Sequence, residues 1–133
     1  MKVVDVMHRD VRTVGPETSV SDIIVLLAEV HVSAVPVVDR HGRILGVVSS
    51  TDILLSEADA GGGADREAFF RETLARDIMT PRPLTISPDT DLKEAARQML
   101  YAEVHRLFIT DDDRLVGVIS TTDIVQAVAT RPI

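Results

Sequence analysis

Two acidic residues, Asp52 and Asp123, stand in nearly the same company, 71 positions apart. The first closes Gly46-Val47-Val48-Ser49-Ser50-Thr51-Asp52, the second Gly117-Val118-Ile119-Ser120-Thr121-Thr122-Asp123. A short apolar run that ends in Ser and passes into Ser/Thr-Asp is the pattern of a strand turning into a helix. Two chemistries fit Ser-x-x-Asp at such a turn. One is structural: Ser at the N-cap and an acid three residues on form a capping box. The other is ligand binding. A helix start offers unpaired N–H groups and the positive end of the helix dipole. A carboxylate there can accept bonds from both hydroxyls of a ribose, as acidic residues do in dinucleotide folds. Ser49, Thr51, Ser120 and Thr122 place hydroxyls where a phosphate can be met. The two readings are compatible, because capping places the residues and a ligand uses the capacity left over.

His105-Arg106 is the second chemical signal. It reads either as the solvated start of a strand or as an anion clamp, in which Arg gives a planar fork to phosphate and His adds a donor. The equivalent place earlier in the chain holds Ser33-Ala34, so the two halves are chemically unequal. The other constellations are blander. His8, His31 and His41 lack paired metal spacing and read as surface or core histidines. Asp111-Asp112-Asp113 lacks the ligand spacing of a calcium loop and reads as a solvated turn. Gly61-Gly62-Gly63 has no following Lys-Ser/Thr and is no phosphate-binding loop. No nucleophile–base pair is evident, so the chain is not read as an enzyme, and neither a catalytic nor a metal site is expected.

Composition narrows the classes further. The 133 residues carry a net charge of −7, against the basic face that a reader of nucleic-acid backbones needs. The only aromatics are Phe69, Phe70, Tyr101 and Phe108, too few for a base-stacking platform. The longest apolar run, Ile23 to Ala28, is too short for a bilayer. Neither nucleic acid nor membrane is therefore expected as a partner. The absence of cysteine removes disulfides, thiolate catalysis and Cys-based metal sites. Lys2, Asp5, Arg9 and Asp10 leave no signal-peptide core at the start, and the cytoplasm is the expected compartment.

The elements that must position these residues are themselves duplicated. Asp5-Val6-Met7 is echoed by Asp77-Ile78-Met79, and Thr13-Val14-Gly15-Pro16 by Thr85-Ile86-Ser87-Pro88, at an offset of 72. The offset falls to 71 near Gly42, where a turn can absorb a deletion. Each copy reads as strand, helix, strand, strand, helix. Val11 to Val14 is a short extended piece. Ser19, with Asp22 as box partner, caps a helix whose apolar face is Val20, Ile23, Ile24 and Leu27. Asp91, Glu94, Leu92, Ala95, Ala96 and Met99 repeat it. Hairpins follow around Asp39 to Gly42 and Asp111 to Asp113. Closing helices start near Ser50 and Thr121. Gly61 to Ala64 reads as a flexible linker, and Asp65 to Ala75 as a helix carrying Phe69 and Phe70. A unit of about 60 residues is marginal alone, so the copies are expected to share a core.

These motifs together resemble the tandem CBS-domain, or Bateman, module in its stand-alone form. The Asp-Val/Ile-Met lead-ins, Thr13-Val14 and Thr85-Ile86, Ala34-Val35-Pro36-Val37-Val38-Asp39 and the two Gly-x-x-Ser-x-x-Asp-Ile segments carry the resemblance over nearly the full chain. His105-Arg106-Leu107 with its acidic turn is also similar to repeats in the γ subunit of AMP-activated protein kinase. The resemblance implies an α+β fold of two βαββα repeats, related by a pseudo-twofold axis with sheets facing a shared cleft. The repeats would span 1–60 and 75–133, with a linker and short helix over 61–74. It implies a regulatory module that senses adenosine nucleotides such as AMP, ADP or ATP, requires no cofactor, pairs as a homodimer and modulates a regulated protein. One site would use Thr13, Val14, Ser49, Thr51 and Asp52, with His105 and Arg106 supplied by the opposite repeat. The other would use Thr85, Ile86, Ser120, Thr122 and Asp123, with only Ser33 and Ala34 opposite. Phe108 replaces Pro36 and reshapes the binding surface. The alternative is a structural dimerisation module with no bound nucleotide.

Overall fold

A computed structural model describes residues 1–59 and 65–131. The chain divides into two compact units, residues 12–83 and residues 1–11 with 84–133. These units cut across the sequence repeats. The lead-in Asp5-Val6-Met7 belongs to the unit that carries the second copy's hairpin, and Asp77-Ile78-Met79 to the unit that carries the first.

In the unit of residues 12–83, α1 (Val20–Val30) precedes a hairpin of β1 (Ala34–Val38) and β2 (Ile44–Ser49). Then come α2 (Ser50–Asp59), α3 (Arg66–Glu72), α4 (Ala75–Ile78) and the short β3 (Thr80–Pro81). The sheet order is β1-β2-β3, antiparallel throughout. The piece expected as a strand over Val11 to Val14 reduces to one parallel bridge, Val14 with Val37. Val20, Ile23 and Leu27 of α1 pack with Val35, Val37, Val48 and Ile53 in the core. Phe70 of α3 packs against the same cluster, which settles the direction of one of the two adjacent rings. The Gly61 to Ala64 linker lies outside the described residues.

The unit of residues 1–11 and 84–133 repeats the plan. A short 3-10 turn (Val3–Asp5) opens it. β4 (Thr85–Ile86), α5 (Leu92–Ala102), β5 (Arg106–Asp111), β6 (Arg114–Ser120) and α6 (Thr121–Thr130) follow. β4 pairs parallel with β5, β5 antiparallel with β6, and His8 adds an antiparallel bridge to Val118 beyond β6. Val3, Leu92, Leu107, Ile109 and Ile119 are fully buried here.

The local signals act as their chemistry requires, with differences. Ser19 caps α1 by accepting from the Asp22 N–H at 3.2 Å, but the return bond of a capping box is not formed there. Asp91 caps α5 through the Lys93 N–H, so Glu94 is no box partner. Glu94 instead pairs along the helix with Arg97. Both helices end on a left-handed residue, His31 at φ 55° and Glu103 at φ 56°. The one-residue difference between copies falls where expected. Asp112 and Asp113 turn the second hairpin with positive φ at both positions, while the longer first turn needs a single left-handed Gly42 at φ 83°.

Gly46 and Gly117 have a stronger reason to be glycine. A Cβ on Gly46 would sit 2.7 Å from the Thr80 carbonyl oxygen and 2.8 Å from the Met79 Sδ. A Cβ on Gly117 would sit 2.7 Å from the Met7 Sδ and 2.9 Å from the His8 carbonyl oxygen. The lead-in therefore lies directly on the second hairpin strand, and only hydrogen fits beneath it. Gly117→Ala is expected to cost about 1–3 kcal/mol, the usual range for overpacking. Urea unfolding should show this as a lower midpoint with an unchanged slope.

Candidate functional site

Both Ser-x-x-Asp segments form full capping boxes. The Ser49 Oγ accepts from the Asp52 N–H at 3.0 Å, and the Asp52 Oδ2 accepts from the Ser49 N–H at 2.8 Å. The Ser120 Oγ accepts from the Asp123 N–H at 3.1 Å, and the Asp123 Oδ2 accepts from the Ser120 N–H at 2.8 Å. The next donor in each helix is also taken. The Ser50 N–H reaches the Ser33 carbonyl at 2.9 Å, and the Thr121 N–H reaches the His105 carbonyl at 3.0 Å. The helix starts thus hold fewer open N–H groups than their position alone suggests. An anion there would meet chiefly the Thr51 and Thr122 N–H groups and their exposed hydroxyls.

What remains for a ligand is the second carboxylate oxygen of each Asp. Here the copies differ. The Asp52 Oδ1 accepts from the Thr80 hydroxyl at 3.1 Å. The Asp123 Oδ1 lies 2.7 Å from the His8 Nε2. Neither Thr80 nor His8 is marked by sequence reasoning, which placed His8 among the surface or core histidines. The one available signal is position: each follows the Met of a lead-in, at the same offset of 72 as the lead-ins themselves. Asp123 is 9% exposed. Burial by itself would raise its pKa, but the Ser120 N–H, the His8 ring and the Ser120 hydroxyl outweigh that and hold the carboxyl below its ordinary value.

The other expected site residues fall in two classes. Val14 and Ile86 are buried in their units' cores, so their side chains are committed to packing. Thr13 is exposed and Thr85 half-buried. His105 is exposed and Arg106 half-buried at the start of β5. Among the described residues no carboxylate lies in ion-pair reach of Arg106. Phe108 is buried on the strand face opposite Leu107 and Ile109. Among the described residues, no group of three or more His, Asp or Glu is disposed to hold a metal ion. No described helix is long and apolar enough to cross a membrane.

Residues 3–59 and 75–130 match the CBS domain profile. The chain belongs to the CBS-domain family. Its α+β fold, a three-stranded sheet with helices in each unit, is that of stand-alone CBS pairs. The chain is 30% identical to the chloroplastic CBS domain-containing protein CBSX1 of Arabidopsis thaliana, over 89% of its own length and 59% of that relative's. It therefore spans about three fifths of the plant protein. The crystal structure of Arabidopsis CBSX2 in complex with AMP superposes with a TM-score of 0.82, at 32% identity, covering 96% of both chains. The crystal structure of a putative acetoin utilization protein (AcuB) from Vibrio cholerae gives a TM-score of 0.82 at 29% identity, covering 97% of this chain and 90% of that one.

The depressed Asp123 pKa has a consequence for stability. The unfolded carboxyl titrates near its ordinary value of about 3.9, and the folded one below it. The stabilisation is fully present above the unfolded value and is lost as pH falls through the folded value. Asp123→Asn should therefore be less stable than the parent at neutral pH. The gap should shrink once the pH drops below about 4 in a series of urea titrations.

Proposed function

We propose that this CBS pair is a non-catalytic regulatory module that binds an adenosine-bearing ligand and modulates a partner protein in response. The observation that carries this reading is the placement of Asp52. Its carboxylate is fixed by a capping box yet keeps one oxygen toward a rotatable hydroxyl, an arrangement suited to a ribose diol. The similarity to CBSX2, solved with AMP, supports adenosine as the nucleoside. Ser49 and Thr51 beside Asp52, and Ser120 and Thr122 beside Asp123, offer hydroxyls to phosphate. Thr13 with Val14, and Thr85 with Ile86, flank the base largely through backbone, given that Val14 and Ile86 are buried. His105 and Arg106 supply the cationic contact to phosphate, favoured by the lack of a carboxylate partner for Arg106 among the described residues.

The module acts as a homodimer in this reading. Leu54 and Leu55 on α2, Leu100 and Tyr101 on α5, and Val125 and Val128 on α6 are all more than half exposed. Such apolar helix faces favour association. The same faces favour the second reading, a structural dimerisation module whose carboxylates serve only as helix caps. Light scattering should give twice the chain mass; a strict monomer at high concentration would remove the dimer.

Calorimetric titration with adenosine, AMP, ADP and ATP separates the two readings. Asp52→Ala should weaken every adenosine ligand. Arg106→Ala should weaken nucleotides by roughly ten- to a hundredfold, the equivalent of about 1.5–3 kcal/mol for a charge-assisted bond, and leave adenosine nearly unchanged. Equal losses for adenosine and AMP would remove the phosphate role of Arg106. No binding of any of the four at millimolar concentration would leave the structural reading in possession.

A further inference from the structure

The two capping-box carboxylates occupy equivalent positions, but what meets their free oxygens is not equivalent. Thr80 offers the Asp52 Oδ1 a hydroxyl at 3.1 Å. A hydroxyl rotates, and it can accept as well as donate. It can turn toward an incoming diol without leaving its place. His8 offers the Asp123 Oδ1 a ring nitrogen at 2.7 Å. The ring stands on a backbone tied to β6 by two bonds of 2.9 Å, the His8 N–H to the Val118 carbonyl and the Val118 N–H to the His8 carbonyl. The ring itself is largely exposed, but it engages the oxygen that a ribose hydroxyl would use.

We infer that His8 determines the ligand affinity of the second CBS site: it competes with the ribose diol for Asp123, makes that site weaker than the one at Asp52, and weakens it most when the ring is charged. The inference rests on the reading above that both carboxylates bind ribose hydroxyls.

An imidazole changes charge between about pH 5 and 8. As an imidazolium it makes a charge-assisted bond, roughly twice as strong as a neutral one. A diol must then displace a stronger competitor. Among the described residues the surroundings supply no rival for the ring. From α6 it faces Asp123, and the adjoining Thr121 and Thr122 are neutral. Its neighbour on β6 is Val118. On its own segment Arg9 and Asp10 follow, both exposed. Among the described residues Asp123 is the one carboxylate within ion-pair reach of the ring. That carboxyl, with the Ser120 N–H, the His8 ring and the Ser120 hydroxyl outweighing its burial, is held below its ordinary value and is ionised across this range. Among the described residues Asp52 has no such neighbour, since its partner Thr80 does not titrate.

The test uses adenosine, which carries no phosphate to titrate in this range, and the full chain. Asp52→Asn isolates the Asp123 site, and Asp123→Asn isolates the other. In the Asp52→Asn protein, adenosine should bind roughly five- to tenfold more weakly at pH 5.5 than at pH 8, the ratio expected between a charged and a neutral competitor. Adding His8→Thr, which copies the Thr80 arrangement, should remove the pH dependence and bring the affinity toward that of the Asp52 site. His8→Gln, a neutral donor of similar reach, should also abolish the pH dependence and serves if the threonine variant does not fold. Binding at the Asp123 site that is independent of pH, or a pH slope that survives both His8 substitutions, overturns the inference. So does a site that stays closed to adenosine in both variants while the Asp123→Asn protein still binds, and this outcome leaves the nucleotide reading standing. Failure of adenosine and AMP to bind any of these proteins removes both.

Discussion

The close approach of a lead-in segment to a glycine is the constraint on which both units depend. Residues 7–8 lie on Gly117, and residues 79–80 lie on Gly46, with carbonyl and sulfur atoms where a Cβ would stand. That contact extends each sheet by a strand or a bridge: β3 on β2, and His8 on β6. It also fixes which donor faces the capping-box carboxylate, because the residue after the Met is carried to the start of the following helix. Gly-x-x-Ser-x-x-Asp and Asp-x-Met, distant in sequence, are thus halves of one local structure. The glycine admits the Met, the Ser caps the helix, and the Asp receives the side chain that follows the Met.

The two oxygens of each carboxylate face different ways, so capping leaves one of them over. Oδ2 closes the capping box in both copies at 2.8 Å. A cap of this kind is worth about 1 kcal/mol and fixes the rotamer of the Asp. Oδ1 is then held at a defined place without being required by the helix. A side chain already ordered by folding meets a ligand at lower entropic cost than one that must be frozen on binding. The structural account of Ser-x-x-Asp and the ligand-binding account proposed above therefore draw on different oxygens of one carboxylate.

Much of this was legible because the chain states it twice. The repeat offsets, the shorter second hairpin, the helical faces and the helix starts at Ser50 and Thr121 follow from local pattern, and local pattern survives folding. The partners of the carboxylates were not legible. His8 and Asp123 are 115 positions apart, and Thr80 and Asp52 are 28 apart. Nothing local says which hairpin a lead-in will join. The units in fact divide at residues 11 and 83, so each lead-in joins the copy that does not follow it in sequence. The two incomplete capping boxes fail for a smaller reason. Asp22 does not return the bond to the Ser19 N–H, and Asp91 caps by itself, so the acid three positions on is left to solvent or to Arg97.

The differences between the copies sit where the backbone carries the structural work. Ser33 and His105 each give a carbonyl to the first N–H of the next helix, whatever their side chains are. His8 and Thr80 each pair through main-chain atoms with the second hairpin strand. A side chain at such a position can change chemistry without changing the fold, because no packing or ladder bond depends on its identity. Gly46 and Gly117 show the opposite case, where the side chain itself is the constraint and the copies agree. A duplicated scaffold of this kind keeps its backbone contacts in register and places its chemical asymmetry at positions whose main chain alone is needed, which is how two matching carboxylates come to face a hydroxyl in one unit and an imidazole in the other.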